Sequence, residues 1–382
     1  MKSWPTVPLA DFAAKKGGSV DPAKFPDEIF DLYSIPAFDA GQPEIRAGSE
    51  IGSIKQIVQP RDTLLSKIVP HIRRAWVVGD SRGRRLIASG EWIVFRGERI
   101  QPDFLRNFLL GNSFHAQFMQ TVSGVGGSLL RARPSEVFKI RIPVPPMAEQ
   151  ERIVKLLAEA DQLRKLRAQA DARTASLIPA LFHEMFGDVG NATSAWPRER
   201  LGQLATIEAV LVDPRDKAFQ DLQHVGADRI ERDSGKLLDS KSAKEDGLIS
   251  SKFPFGERDV LYSKIRPNLR KVALPTTRGL CSADVYPVRP GKQLVREFLW
   301  AYLLTDHFTN RAIELSDRAN MPKLNRVQLD SIEAPVPPLA LQKQFAERVR
   351  AIHEFEARQS KSRHRIESLF QSMLYSAFGG GL

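Results

Sequence analysis

Ile142-Pro143-Val144-Pro145-Pro146-Met147-Ala148 returns later in the chain as Ala334-Pro335-Val336-Pro337-Pro338-Leu339-Ala340, a shift of 192 residues. The same shift carries Leu177, Leu181 and Phe186-Gly187 onto Leu369, Met373 and Phe378-Gly379, and Trp4-Pro5 onto Trp196-Pro197. Self-similarity at a fixed period marks a repeated architecture, and here the repeat spans the chain. A second anchor, Asp62-Thr63-Leu64-Leu65-Ser66-Lys67-Ile68-Val69-Pro70-His71-Ile72-Arg73, recurs at a shift of 197 as Asp259-Val260-Leu261-Tyr262-Ser263-Lys264-Ile265-Arg266-Pro267-Asn268-Leu269-Arg270. A third, Phe104-Leu105 with Leu109-Leu110 and Phe114, returns at a shift of 194 as Phe298-Leu299, Leu303-Leu304 and Phe308. Small changes of shift between anchors mean loops of different length on one framework. Between anchors the halves diverge, as Ile57 to Arg61 does from Ser251 to Arg258. Two recognition modules with different targets have this form, and so does a duplicated domain whose loops have drifted.

Each proline-rich entry leads into a helix. Glu149 to Phe186 has no glycine and one proline, Pro179, and is rich in Ala, Leu, Glu, Lys, Arg and Gln, the strong helix formers. Ile153, Leu156, Ala160, Leu163, Ala170, Thr174, Leu177 and Leu181 fall close to alternating three and four steps, which reads as a coiled-coil seam. Glu149 and Glu151 suit the positive end of the helix, Gly187 is placed to close it, and Pro179 predicts a break or bend. The second helix runs from Leu341 to Phe378, with Phe345, Val349, Ile352, Phe355, Ile366, Leu369, Phe370, Met373 and Ala377 on its stripe. About 38 residues at 1.5 Å rise make roughly 57 Å, the length of a spacer. If a pseudo-two-fold axis relates the halves, the second helix runs back along the first.

Composition sets the class. A chain of 382 residues, 42% hydrophobic and 26% charged, has material for two or three folded domains. The net charge of +11 favours a polyanionic partner. One cysteine, Cys281, makes neither an internal disulfide nor a zinc site, and no stretch has the apolar length of a signal peptide or a membrane span. These features fit a soluble protein in a reducing compartment.

Two basic clusters sit on the Ser-Lys-Ile-x-Pro-x-x-Arg anchor. Lys67, Arg73, Arg74, Arg82, Arg84 and Arg85 follow the first copy, and Lys264, Arg266, Arg270, Lys271 and Arg278 the second. Cations on a loop after a strand neutralise phosphates, giving affinity and salt dependence without sequence information. The DNA-binding candidates are Lys67, Arg73, Arg74, Lys264, Arg266, Arg270 and Lys271, with Gln56, Gln59, Gln223 and Arg229 as base-reading candidates in the divergent loops. Walker, His-Glu-x-x-His, Cys-x-x-Cys, Gly-x-Ser-x-Gly and Asn-Pro-Pro-aromatic motifs are missing, and the seven histidines are scattered. Gly124-Val125-Gly126-Gly127 reads as a flexible loop rather than a nucleotide site. The pattern is that of a chain that binds rather than reacts.

The duplicated Ser-Lys-Ile-x-Pro segments, the Pro-x-Pro-Pro-x-x-x-Gln entries at Pro143 to Gln150 and Pro335 to Gln342, and the long helices after them resemble the specificity subunit of a type I restriction-modification system. The resemblance covers essentially the whole chain. It implies an α/β fold of α+β type with internal duplication and pseudo-two-fold symmetry. Two target-recognition domains with curved sheets, residues 1–143 and 189–335, are then separated by an antiparallel two-helix coiled coil, residues 144–188 and 336–382. It also implies a non-catalytic, cytoplasmic, prokaryotic subunit reading a bipartite, asymmetric site on double-stranded DNA, one half per domain. Partners are two modification subunits that carry S-adenosylmethionine and methylate adenine, and restriction subunits using ATP and Mg; this chain itself holds no cofactor or metal. Half-sites about one turn apart, ~34 Å, lie within the spacer's reach. The copies depart from the family pattern in one place, where Glu149 precedes the first glutamine and Leu341 the second. The competing reading is a coiled-coil scaffold that assembles protein partners without reading DNA sequence.

Overall fold

The computed structural model describes residues 4–14, 18–124, 130–190, 196–207, 210–316 and 322–379. The chain divides into two compact units, Met1–Leu166 with Ser362–Leu382, and Arg167–Lys361. Both are mixed α/β.

The first unit opens on Thr6–Pro8, which pairs antiparallel with Arg141–Pro143, Thr6 opposite Pro143. The buried strand Thr63–Ser66 lies at the centre of a three-stranded sheet between Ala75–Val77 and Trp92–Phe95. Helices Pro102–Leu110 and Asn112–Gln120 follow, the first started by Gln101, whose side chain caps Phe104 N. Their Phe104, Phe108, Phe114 and Phe118 join Leu65, Phe95, Ile153, Leu157 and Ala377 in one core. The divergent sequence forms a separate five-stranded sheet in the order Ser19–Val20, Lys55–Ile57, Arg85–Ala88, Ile29–Tyr33, Glu44–Ala47.

The second unit repeats the frame. Arg198–Arg200 pairs antiparallel with Glu333–Pro335, and Val260–Ser263 lies buried between Val285–Pro290 and Val272–Ala273. Helices Arg296–Leu303 and Asp306–Leu315 cover it, and Phe298, Tyr302 and Phe308 share a core with Phe182, Phe186, Phe345 and Val349. The divergent sequence here gives a three-stranded sheet, Gln223–Val225, Gly279–Cys281, Phe253–Phe255. Cys281 is wholly buried, and burial pushes its thiol pKa well above the ordinary value.

The recurring sequence marks have recurring physical reasons. Two prolines remove two N–H groups at the helix entry, and the glutamine four residues on closes the gap. Gln150, 1% exposed, accepts from Gln101 N (2.8 Å) and donates to Arg99 O (3.0 Å) and Pro145 O (2.9 Å). Gln342, 0% exposed, accepts from Val295 N (2.8 Å) and donates to Gln293 O (3.0 Å) and Pro337 O (2.7 Å). Buried amides must find partners, and these tie the ribbon, the covering helix and the long helix together. The acid that opens the second anchor is likewise fixed. Asp62 takes Arg96 Nε (2.6 Å) and Nη2 (2.7 Å), and Asp259 takes Arg289 Nε (2.7 Å) and Nη2 (3.0 Å).

The first long helix runs Met147–Ala175, breaks at Ser176 and resumes as Leu177–Phe186. The break stands where Pro179 lacks its N–H and its ring would meet the carbonyl four residues back. Gly187 ends the helix at φ 71°. The second, Leu339–Gly379, is unbroken. Within the first unit Arg164 meets Glu367 (2.9 Å) and Leu157 shares a core with Ala377, whereas within the second Thr174 meets Gln359 (3.1 Å) and Phe182 meets Phe345. In each unit, then, the pairing is antiparallel.

The seam differs from its sequence reading at several places. Leu163, Leu177, Phe355 and Leu369 are about half exposed. Polar groups stand between them instead: Arg164 pairs across with Glu367, and on the first helix Arg167 pairs with Asp171 (3.0 Å) beside Thr174 and the buried Gln359. A helix of 3.6 residues per turn drifts from a 3.5-residue stripe, and these polar groups take the positions that the drift vacates.

Candidate nucleic-acid interface

The strand Thr63–Ser66 ends in a turn whose backbone is held at Ser66, Lys67, Ile68, Val69 and Ile72. Ser66 Oγ donates to Ile68 O (3.0 Å) and Lys67 N to Glu91 O (3.0 Å). Ile68 bridges Arg131, Val69 N donates to Leu130 O (3.1 Å), and Ile72 N donates to Val69 O (3.0 Å). The second unit builds the same turn. Ser263 Oγ donates to Ile265 O (3.3 Å) and Lys264 N to Asp284 O (2.9 Å). Ile265 bridges Lys323, Arg266 N donates to Pro322 O (2.8 Å), and Leu269 N donates to Arg266 O (2.9 Å).

Both turns pass through the left-handed region at the same position, Val69 at φ 48° and Arg266 at φ 50°, each followed by a proline. A non-glycine residue there costs on the order of 1–3 kcal/mol and persists only where its surroundings fix it. The hydrogen bonds on either side do so.

The basic candidates divide by what engages them. Arg73 donates to Leu110 O (3.0 Å) and Asn112 Oδ1 (2.7 Å), and its equivalent Arg270 donates to Asp306 Oδ1. Both therefore tie the turn to the first residue of the second covering helix. Arg74 is buried in a bidentate pair with Asp39 (2.8 and 2.9 Å), and Lys271 donates to Ala227 O (2.6 Å). Lys67 is half-buried at the strand end. Lys264 lies 4.9 Å from the Tyr286 ring and 4.0 Å from Asp284; burial lowers its pKa, Lys323 pushes the same way and Asp284 opposes. Arg266 is exposed, and among the described residues no ion pair or hydrogen bond holds its guanidinium.

Residues 230–367 match the family model of the type I restriction modification DNA specificity domain. The chain is 29% identical over 327 residues to the specificity subunit of the type I restriction enzyme EcoDI of Escherichia coli, covering 74% of this chain and 70% of that subunit. The chain is similar to type I specificity subunits over most of its length. Its fold is similar to a chain from a structure of complex assembly and conformational transition of the type I R-M system, with TM-score 0.66 and 20% identity over 100% of this chain and 98% of that one. The HsdS subunit from Thermoanaerobacter tengcongensis is similar at TM-score 0.50 and 21% identity, covering 100% and 97%.

In each unit the turn recruits cations that sequence reading missed. Arg131 and Lys323 arrive beside Lys67 and Lys264 through the Ile68 and Ile265 bridges, each leaning on an acid: Arg131 on Glu91 (3.2 Å) and Lys323 on Asp284 (3.4 Å). They lie about 60 residues further along the chain, so no local pattern could expose them. Of the base-reading candidates, Gln56 donates to Ser89 O and Trp92 O (3.0 Å each) and Arg229 to Asp239 O (2.7 Å), while Gln59 and Gln223 are exposed. Gly124 aside, the glycine-rich stretch lies outside the described residues. Among the described residues no group of His, Cys, Asp and Glu could hold a metal ion, and no helix is long and apolar enough to cross a membrane.

Proposed function

We propose that this chain is a non-catalytic type I specificity subunit and reads a bipartite, asymmetric site on double-stranded DNA, one half per target-recognition domain. The observation that carries this is the turn itself: one anchored backbone, recurring in both units beside cations, with different side chains at its exposed positions. In this reading Lys67, Arg131, Lys264 and Lys323 meet phosphates, Arg266 meets DNA, and Arg73, Arg74, Arg270 and Lys271 hold the turns in place. Residues 1–143 and 189–335 are the recognition domains. The helices in 144–188 and 336–382 form an antiparallel coiled-coil spacer with a polar centre, on a pseudo-two-fold plan, and dock two modification subunits.

S-adenosylmethionine chemistry belongs to the modification subunits, and ATP with Mg to restriction subunits, in a prokaryotic cytoplasm. The deciding experiment is a genome-wide adenine-methylation map in a methylation-free bacterial host expressing this chain with its modification subunit. A new motif of two unlike halves at a fixed gap, absent without this chain, is expected. A stable complex that leaves no motif would sink the DNA-reading function and favour a protein scaffold.

A further inference from the structure

The anchoring of the turn leaves very few side chains free to read anything. In the second unit the backbone of Ser263 to Arg270 is fixed at Ser263, Lys264, Ile265, Arg266 and Leu269, and the arginine that ends it is paired with Asp306. Pro267 is buried. Arg266 and Asn268 are the exposed residues of this segment, two positions apart, and among the described residues no hydrogen bond or ion pair holds either side chain.

The equivalent positions of the first unit, Val69 and His71, sit on the same turn, Val69 half-buried and His71 exposed, and differ in chemistry. Positions that a duplicated turn presents in both units, but whose side chains differ, are where two modules of one design acquire different targets. Arginine presents a bidentate donor fork that matches the O6 and N7 acceptors of guanine, and asparagine matches the N6 and N7 pair of adenine. A rigid backbone with unengaged polar ends is the preorganised arrangement that such contacts need.

We infer that Arg266 and Asn268 contact base edges in the half-site read by the second unit, with Val69 and His71 occupying the same place in the first. This rests on the DNA-reading function proposed above and names the residues that carry one half of it. Lys264, behind the turn and stacked on Tyr286, stays a phosphate contact.

The test is the methylation map repeated with Arg266→Ala, Arg266→Gly and Asn268→Ala in the full complex, beside the unaltered chain. Each variant is expected to lower discrimination about 10- to 100-fold at one base pair of one half-site, leaving the other half and the gap unchanged. Glycine accepts the left-handed backbone without strain, so Arg266→Gly must fail in the same way as Arg266→Ala if the side chain is the reader; restored discrimination in Arg266→Gly would overturn the assignment. Methylation that falls evenly at all sites with an unchanged motif would also overturn it, since that marks phosphate contacts, while leaving the DNA-reading function standing. An unaltered chain that yields no motif removes both.

Discussion

Gln342→Leu is expected to destabilise the second unit more than Gln342→Ala, although leucine conserves volume better. Gln342 is 0% exposed and joins three backbone groups, Val295 N, Gln293 O and Pro337 O, at 2.7–3.0 Å. Each buried group left without a partner costs about 1–3 kcal/mol. Alanine opens a void in which one water can meet two of the three groups, so the net cost is about 3 kcal/mol. Leucine fills the space and excludes that water, bringing the cost to about 4–5 kcal/mol. For a unit of this size each kcal/mol lowers Tm by roughly 2–4 °C, so both variants are separable from the unaltered protein. Hydrogen exchange of the helix Arg296–Leu303 localises the loss to the second unit. Gln150→Leu should repeat the effect in the first unit, and the double variant should be additive within about 0.5 kcal/mol because the glutamines share no partner. A Gln342→Leu protein as stable as the unaltered one would refute the clamp.

Asp259→Ala removes the acceptor of Arg289 and Gly256 N from a wholly buried position. The half-exposed Arg289 regains water, so urea unfolding should report a loss of about 2–3 kcal/mol rather than the larger cost of a fully buried pair. Lys264→Ala should weaken DNA binding by the assembled complex evenly across sequences and reduce the slope of log K against log salt by about 1, whereas a loss at one base position would contradict its phosphate role. Burial holds the His353 pKa below 6.5, with Glu356 and Glu297 opposing and Lys236 and Arg296 assisting. The folded imidazole is therefore neutral where the unfolded one takes a proton, so its contribution to stability is full above pH 6.5 and declines below it. A Tm series from pH 7.5 to 5.5 should flatten in His353→Gln, and an unchanged slope would remove His353 from the account.

How far the fold was legible follows from which forces are local. The duplication, both long helices and the break ahead of Pro179 depend on composition and on proline chemistry, and they stand in the sequence directly. The glutamine of each entry was visible as a mark without a reason, because its three partners come from a helix start about 50 residues earlier and from the proline turn. The basic clusters were visible as charge, but charge does not say what it is paired with. Arg74 meets Asp39 from 35 residues away, and Arg270 meets Asp306 from 36 away. Leu163 and Phe355 fit the apolar period of the sequence yet are exposed, because period alone does not show where polar groups such as Arg164 with Glu367 take over the contact between the helices.

The division within the turn has a consequence for how such a protein changes its target. Ser263 closes the turn on Ile265 O, Arg270 ties it to a covering helix and Asp259 holds Arg289 of a neighbouring strand, and altering these anchors disturbs the unit. Asn268 is exposed, and substitutions at such positions usually change stability by no more than about 0.5 kcal/mol; Arg266 is exposed too, and its left-handed backbone already strains the residue present, so unbranched replacements add little and glycine relieves the strain. In the proposed reading, target choice can therefore vary at those positions while the fold stays above its threshold. Arg73 and Arg270 show the complementary constraint. One meets an asparagine and the other an aspartate, yet both tie the turn to the first residue of the same helix. The chemistry of the anchor drifted while its geometry stayed, as expected if the position of the turn, rather than any particular hydrogen bond, is what recognition requires.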